Sequence, residues 1–120
     1  MDINELTYAI NGAIFEVNRV LGGGFLEKVY ERALLVELHN RGLAAEPQVP
    51  LVVKYKGVIV GEYCADILVE EQVLLELKAC EKLTGIHEAQ ILNYLNATGI
   101  KLGLLVNFQH PRAEIRRFVI

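Results

Sequence analysis

The stretch ADILVEEQVLLELKA, residues 65–79, decides the fold and raises the chemical question. Its apolar runs flank the polar trio Glu70, Glu71 and Gln72, the pattern of a β-hairpin with a tight turn. Centring the hairpin on Glu71 sets Asp66 opposite Glu76 on one face of the sheet. Lys78 lies two residues beyond Glu76 and points to the same face. The other face carries Ala65, Ile67, Val69, Val73, Leu75, Leu77 and Ala79, so it reads as core. Asp66, Glu76 and Lys78 thus share the second face, beside Leu68 and Leu74.

Facing carboxylates repel. One must be protonated, both must be well solvated, or a cation must lie between them. An all-oxygen donor pair selects a hard ion, Mg²⁺ or Mn²⁺, over zinc. Lys78 beside such an ion can orient a water or stabilise a developing negative charge, which is what phosphodiester hydrolysis needs. Each residue alone is well explained as an ordinary surface charge. The trio together is less so, because solvated faces pair opposite charges across strands.

Around the hairpin, the order of elements follows from periodicity and stop signals. Asp2, with Glu5 three residues on, starts a first helix in the manner of a capping box. Ile3, Leu6, Ile10, Ile14, Val17 and Leu21 give that helix its apolar stripe, and Gly22-Gly23-Gly24 ends it. A second helix is expected from about Phe25 to Asn40, stopped at Gly42. Pro47 and Pro50 bound an extended segment. Strands follow at Leu51–Tyr55, Val58–Val69 and Gln72–Ala79. A third helix spans Gly85–Thr98, with Ile86, Ala89, Leu92 and Leu95 at helical spacing. Leu102–Phe108 is a continuous apolar, central strand, and Ala113–Ile120 a last edge strand. The order ααβββαββ predicts an α/β fold, a mixed β-sheet flanked by helices, with the strand–helix–strand unit parallel.

Composition narrows the function classes. The chain has 120 residues, enough for a single domain spanning residues 1–120. Its formal charge is −3, so it lacks the electrostatic footprint of a tight DNA binder, although an enzyme acting on nucleic acid is not excluded. No secretory signal and no membrane-length apolar run are expected. Cys64 and Cys80 form no zinc motif and read as buried thiols rather than a disulfide, which points to a reducing, cytoplasmic setting. Gly22-Gly23-Gly24 follows a helix and lacks the lysine and hydroxyl of a phosphate loop, so it reads as a helix stop.

Asp66, nine intervening residues and Glu76-x-Lys78 resemble the signature of the PD-(D/E)XK nuclease superfamily. The element order is similar to that superfamily's restriction-endonuclease-like core. The run GFLEKVY (Gly24 to Tyr30) matches the motif that names the GxxExxY family, a small bacterial and archaeal branch. Tyr55 to Asp66, LELKA (Leu75 to Ala79), His87 to Leu95 and GLLVNF (Gly103 to Phe108) also resemble that family. The resemblance implies metal ligation by Asp66 and Glu76, with the Leu77 carbonyl, and catalysis assisted by Lys78. It implies that Glu27 is the additional acidic residue of the metal site. Gln90 and Tyr94 match the Q-x-x-x-Y element of RecB-like nucleases. One departure is Ala65, where the superfamily often has Pro.

The expected function is therefore a Mg²⁺- or Mn²⁺-dependent nuclease, with DNA the first choice of substrate and RNA the second. The charge implies a weak grip on nucleic acid or a helper protein, and two copies could together build a groove. The alternative is a non-catalytic binding or assembly module on the same fold. Among other candidates, Tyr30 reads as a packing residue with a bonded hydroxyl. His87 reads as structural, and Arg112, Arg116 and Arg117 as a solvated edge.

Overall fold

In the computed structural model, which describes residues 1–109 and 111–120, the elements follow the expected order. Helix α1 spans Ile3–Leu21 and α2 spans Glu27–Asn40. Strands β1 (Ala45–Tyr55), β2 (Val58–Val69) and β3 (Val73–Lys78) precede α3 (Gly85–Thr98). Strands β4 (Leu102–Asn107) and β5 (Glu114–Val119) complete the chain. The five strands form one sheet in the order β1-β2-β3-β4-β5. β3 and β4 are parallel and the other neighbours antiparallel, so the sheet is mixed and β4 is interior. Helices flank both faces, giving the α/β architecture of the restriction-endonuclease-like fold. No helix among the described residues is long and apolar enough to cross a membrane.

Two cores follow from this layering. On one face Leu6, Ile10, Ile14 and Val17 of α1, with Tyr30, Leu34 and Leu38 of α2, pack on Ile67, Val69, Leu75, Leu77, Leu104 and Val106. On the other, Ile91, Tyr94 and Leu95 of α3 pack on Leu51, Leu74 and Leu105.

The helix ends have local causes. Asp2 Oδ1 accepts from Glu5 N at 2.8 Å, satisfying one of the free amides of α1. Gly22, at φ 68°, ends α1 in the left-handed region where glycine is favoured. α2 starts two residues later than expected, because Phe25 N donates to the Tyr30 hydroxyl at 3.2 Å instead of entering the helix. The same hydroxyl donates to Gly22 O at 2.6 Å, and its ring stacks on Phe108 at 4.5 Å. Tyr30 thereby locks the glycine turn to the end of β4.

Several expectations are corrected. β1 begins at Ala45, before Pro47 and Pro50, which an edge strand tolerates because only one side of it needs N–H donors. On α3 the buried residues are Ile91, Tyr94 and Leu95, while Ile86 is 80% exposed. The helix rolls toward β4 because Gly103 has no side chain there: a Cβ would meet Ile91 Cδ1 at 2.9 Å. Ala65 packs with the α3-side core, whereas Ile67 packs with the α1–α2 core. Strict alternation therefore breaks at Asp66. Cys64 is exposed and Cys80 partly buried, both as free thiols. Cys64 belongs to a β1–β2 arm that runs past the end of the β2–β3 pairing, so β3 does not cover it.

Candidate active site

The site forms where the β2–β3 hairpin opens. The turn is tight because Glu70 and Glu71 both adopt left-handed φ, 52° and 55°, and Gln72 N donates to Val69 O at 3.0 Å. Strand pairing runs Val69↔Val73, Leu68↔Leu74 and Ile67↔Leu75, then stops. The next pair would be Asp66 and Glu76, as the register predicts. Their side chains replace the missing ladder bonds: Leu77 N donates to Asp66 Oδ2 at 2.7 Å, and Asp66 N donates to Glu76 Oε1 at 3.2 Å.

On the other side of β2 the register brings Gln48 opposite Asp66, between Pro47↔Ile67 and Val49↔Ala65. Gln48 is itself left-handed, φ 49°. Both strands are thus distorted at one level of the sheet, and Asp66 escapes the alternation of its neighbours.

The electrostatics are those of two carboxyls that disfavour each other's charge. Glu76 is 3% exposed. Burial, then the charge of Asp66, pushes its carboxyl up to about 8. Burial likewise raises Asp66, with the charge of Glu31 adding to the shift and the Leu77 amide and Lys78 opposing it. Among the described residues no basic side chain forms an ion pair with either carboxylate. A buried and a half-buried hard-oxygen donor that resist ionisation together suit a divalent cation, which would favour both charged forms at once. Among the described residues no three His, Cys, Asp or Glu side chains gather in a way that could hold a metal ion.

Lys78 is half-buried on the α3 side, and its Nζ donates to Gln90 Oε1 at 3.2 Å. Gln90 Nε2 donates in turn to the Tyr94 hydroxyl at 3.1 Å. Burial raises the Tyr94 hydroxyl further above its ordinary range, so it stays protonated. The predicted residues Lys78, Gln90 and Tyr94 therefore form one hydrogen-bonded chain.

Glu27 is exposed in the first turn of α2. It shares a shallow pocket of about 350 Å³ with Asp66, Leu77, Glu31 and Gln48. Glu31, one turn further along α2, is the residue that sequence reasoning missed. It is 6% exposed, accepts from Gln48 Nε2 at 2.5 Å and pairs with Lys28 at 2.8 Å. Its i, i+4 relation to Glu27 was a usable signal, but nothing in the sequence tells which of the two is covered. Asn107 was also missed. Fully buried, its side chain accepts from Cys80 N at 3.2 Å and donates to Cys80 O at 2.9 Å, which fixes the chain just after Lys78.

Three other candidates are held by local contacts. His87 Nδ1 accepts from Thr84 N at 3.1 Å and caps α3. Arg116 is tied to Glu88 at 2.8 Å and Glu114 at 3.0 Å. Arg112 lies over the Phe15 ring, at 4.8 Å from its centre.

Comparison with known proteins bears on the fold and the family. A crystal structure titled SSO0001 superposes with a TM-score of 0.58 at 20% identity, over 77% of this chain and 48% of that one. The chain thus spans about half the length of that protein, and the likeness is one of fold. No curated protein gives a significant match. The family profile of the PD-(D/E)XK nucleases matches residues 4–118, nearly the whole length. This chain belongs to the PD-(D/E)XK nuclease superfamily.

Proposed function

We propose that the chain is a divalent-metal-dependent nuclease, a single PD-(D/E)XK domain of the GxxExxY family and RecB-like branch, acting on DNA in the cytoplasm. The observation that carries this reading is the Asp66–Glu76 pair at the open end of the hairpin, Glu76 buried and Asp66 half-buried, with no ion-pair partner among the described residues. Asp66, Glu76 and the Leu77 carbonyl would hold Mg²⁺ or Mn²⁺, with Glu27 or Glu31 adding charge nearby. The ion, when bound, supplies Lewis acidity at the phosphate and lowers the pKa of a water.

The chain's own groups do the rest. Lys78 orients the attacking water and stabilises charge developing on the phosphate oxygens. Gln90 holds Lys78 in place, and the protonated Tyr94 holds Gln90. In hydrolysis a water oxygen bonds to phosphorus as the P–O bond to one sugar oxygen breaks, and a proton lost by the water balances the one taken up by the leaving oxygen. The net charge of −3 favours a helper protein or a second copy for substrate grip.

The test begins with the thermal shift on adding Mn²⁺ to wild type and to Glu76→Ala. A ligand at a hundredfold excess over its Kd stabilises the folded state by about 2.7 kcal/mol. The shift is expected in wild type and not in the variant. Mn²⁺-dependent cleavage should then vanish in Lys78→Ala while its metal shift persists. If wild type and Lys78→Ala behave alike on every DNA and RNA substrate tried, the catalytic reading fails. The non-catalytic module is then the better account, and the lack of a three-ligand cluster among the described residues favours it too.

A further inference from the structure

A groove lies between α3 and the β1–β2 arm, beside the α3-side core. Its volume is about 1000 Å³, at the upper end for ligand pockets. The roll of α3 toward Gly103 creates it, leaving Ile86 and Ala89, expected in the core, on its wall. Its inner end is Gln90 and Tyr94, so it is continuous with the chain that reaches Lys78.

The groove has an apolar wall of Val52, Val53, Ile86, Ala89 and Ala97, and its polar groups are phenol and amide rather than cationic. Tyr63 is 50% exposed, and its ring lies 5.7 Å from that of Tyr94, tilted by 45°. Gly61 keeps Tyr63 in this pose: a Cβ there would come within 2.9 Å of Tyr63 Cε2. Gln90, Asn93 and Asn96 follow at three-residue intervals on α3, each a neutral donor and acceptor. Lys54 is the one basic residue among the described lining groups. Such a surface suits base faces and base edges better than a run of phosphates. In a duplex those faces are stacked away.

We propose that this groove takes an unpaired stretch of nucleic acid, with one base stacked on Tyr63 and base edges on Asn93 and Asn96. The substrate of the neighbouring site is then single-stranded or locally opened. This rests on the nuclease reading above, and the two fail separately.

The test is fluorescence anisotropy of a labelled single-stranded oligonucleotide and its duplex, with Mn²⁺, in the Lys78→Ala chain. Single strand should bind at least about tenfold more tightly than duplex. Adding Tyr63→Ala should weaken it by about tenfold, from the lost stacking. Tyr63→Phe should restore it, and Gly61→Ala should weaken it by displacing the ring. Equal affinity for duplex, or no effect of Tyr63→Ala in a chain with unchanged circular dichroism, overturns the proposal. Tyr63-dependent binding without any cleavage by wild type supports the groove and removes the nuclease reading. A dimer that Tyr63→Ala dissociates, with no oligonucleotide bound, assigns the groove to a second copy and also overturns it.

Discussion

Gln48 donates its side-chain amide to Glu31 at 2.5 Å, joining helix α2 to the edge strand directly across from Asp66. The bond does two things. It satisfies a carboxylate that is 6% exposed, and it keeps a second negative charge close enough to raise Asp66. Glu31→Gln should relieve that repulsion. The metal-free variant should unfold in urea within about 1 kcal/mol of wild type, since the Gln48 bond and the exposed Lys28 pair are weakened and one repulsion is removed. Its Mn²⁺-induced thermal shift should be smaller. An undiminished shift would assign Glu31 to structure alone.

The raised carboxyls make the metal-free stability depend on pH. Glu76 moves from 4.5 in the unfolded chain to about 8 in the folded one, and Asp66 shifts in the same direction. The folded state then binds more protons than the unfolded state between these values. Stability is therefore fully present below about pH 4.5 and is lost as pH rises through about 8. Urea midpoints of metal-free wild type should fall across this window, and the Glu76→Gln midpoint should fall much less. Mn²⁺ should reverse the slope of wild type. A flat profile for wild type would show that Glu76 ionises freely in the folded chain.

Tyr30 separates the structural part of the GxxExxY motif from its acidic part. Tyr30→Phe keeps the stack on Phe108 but loses the bonds to Gly22 O and Phe25 N. It should cost about 1–3 kcal/mol in urea denaturation, because two part-buried bonds, each worth about 0.5–1.5 kcal/mol, are lost. Tyr30→Ala should cost about 3–5 kcal/mol by adding a cavity. The Mn²⁺ shift of Tyr30→Phe should match wild type. A loss of metal response at unchanged stability would place the hydroxyl in the site instead.

Gly103 sets how closely α3 approaches the sheet. A Cβ there would also meet Ile91 Cγ1 and Leu95 Cδ1, each at 3.2 Å. Gly103→Val should destabilise by about 1–3 kcal/mol through overpacking. Because Gln90 and Tyr94 ride on the same helix, cleavage should fall more than stability alone requires. Activity measured well below the unfolding temperature separates the two effects.

What the sequence determined by itself is local and periodic. The alternation in ADILVEEQVLLELKA fixes a hairpin register, because a slip of one residue would turn the apolar face outward. That register sets Asp66 against Glu76, and helical spacing aligns Gln90 with Tyr94. Glycine stops and the order of periods yield the α/β class. The tertiary structure decided what depends on contacts between elements distant in the chain. Glu31 rather than Glu27 is buried because α2 lies against Gln48 of β1, seventeen residues on. Ile86 is exposed and Ile91 buried because Gly103, on another strand, lets the helix roll. Ala65 changes core because two strands distort at one level, where backbone amides bond to carboxylates instead of to the neighbouring strand. Periodicity describes one element facing a uniform core. Here the choice between nearly equivalent faces was made by the shape of the neighbour, which no single element's pattern contains.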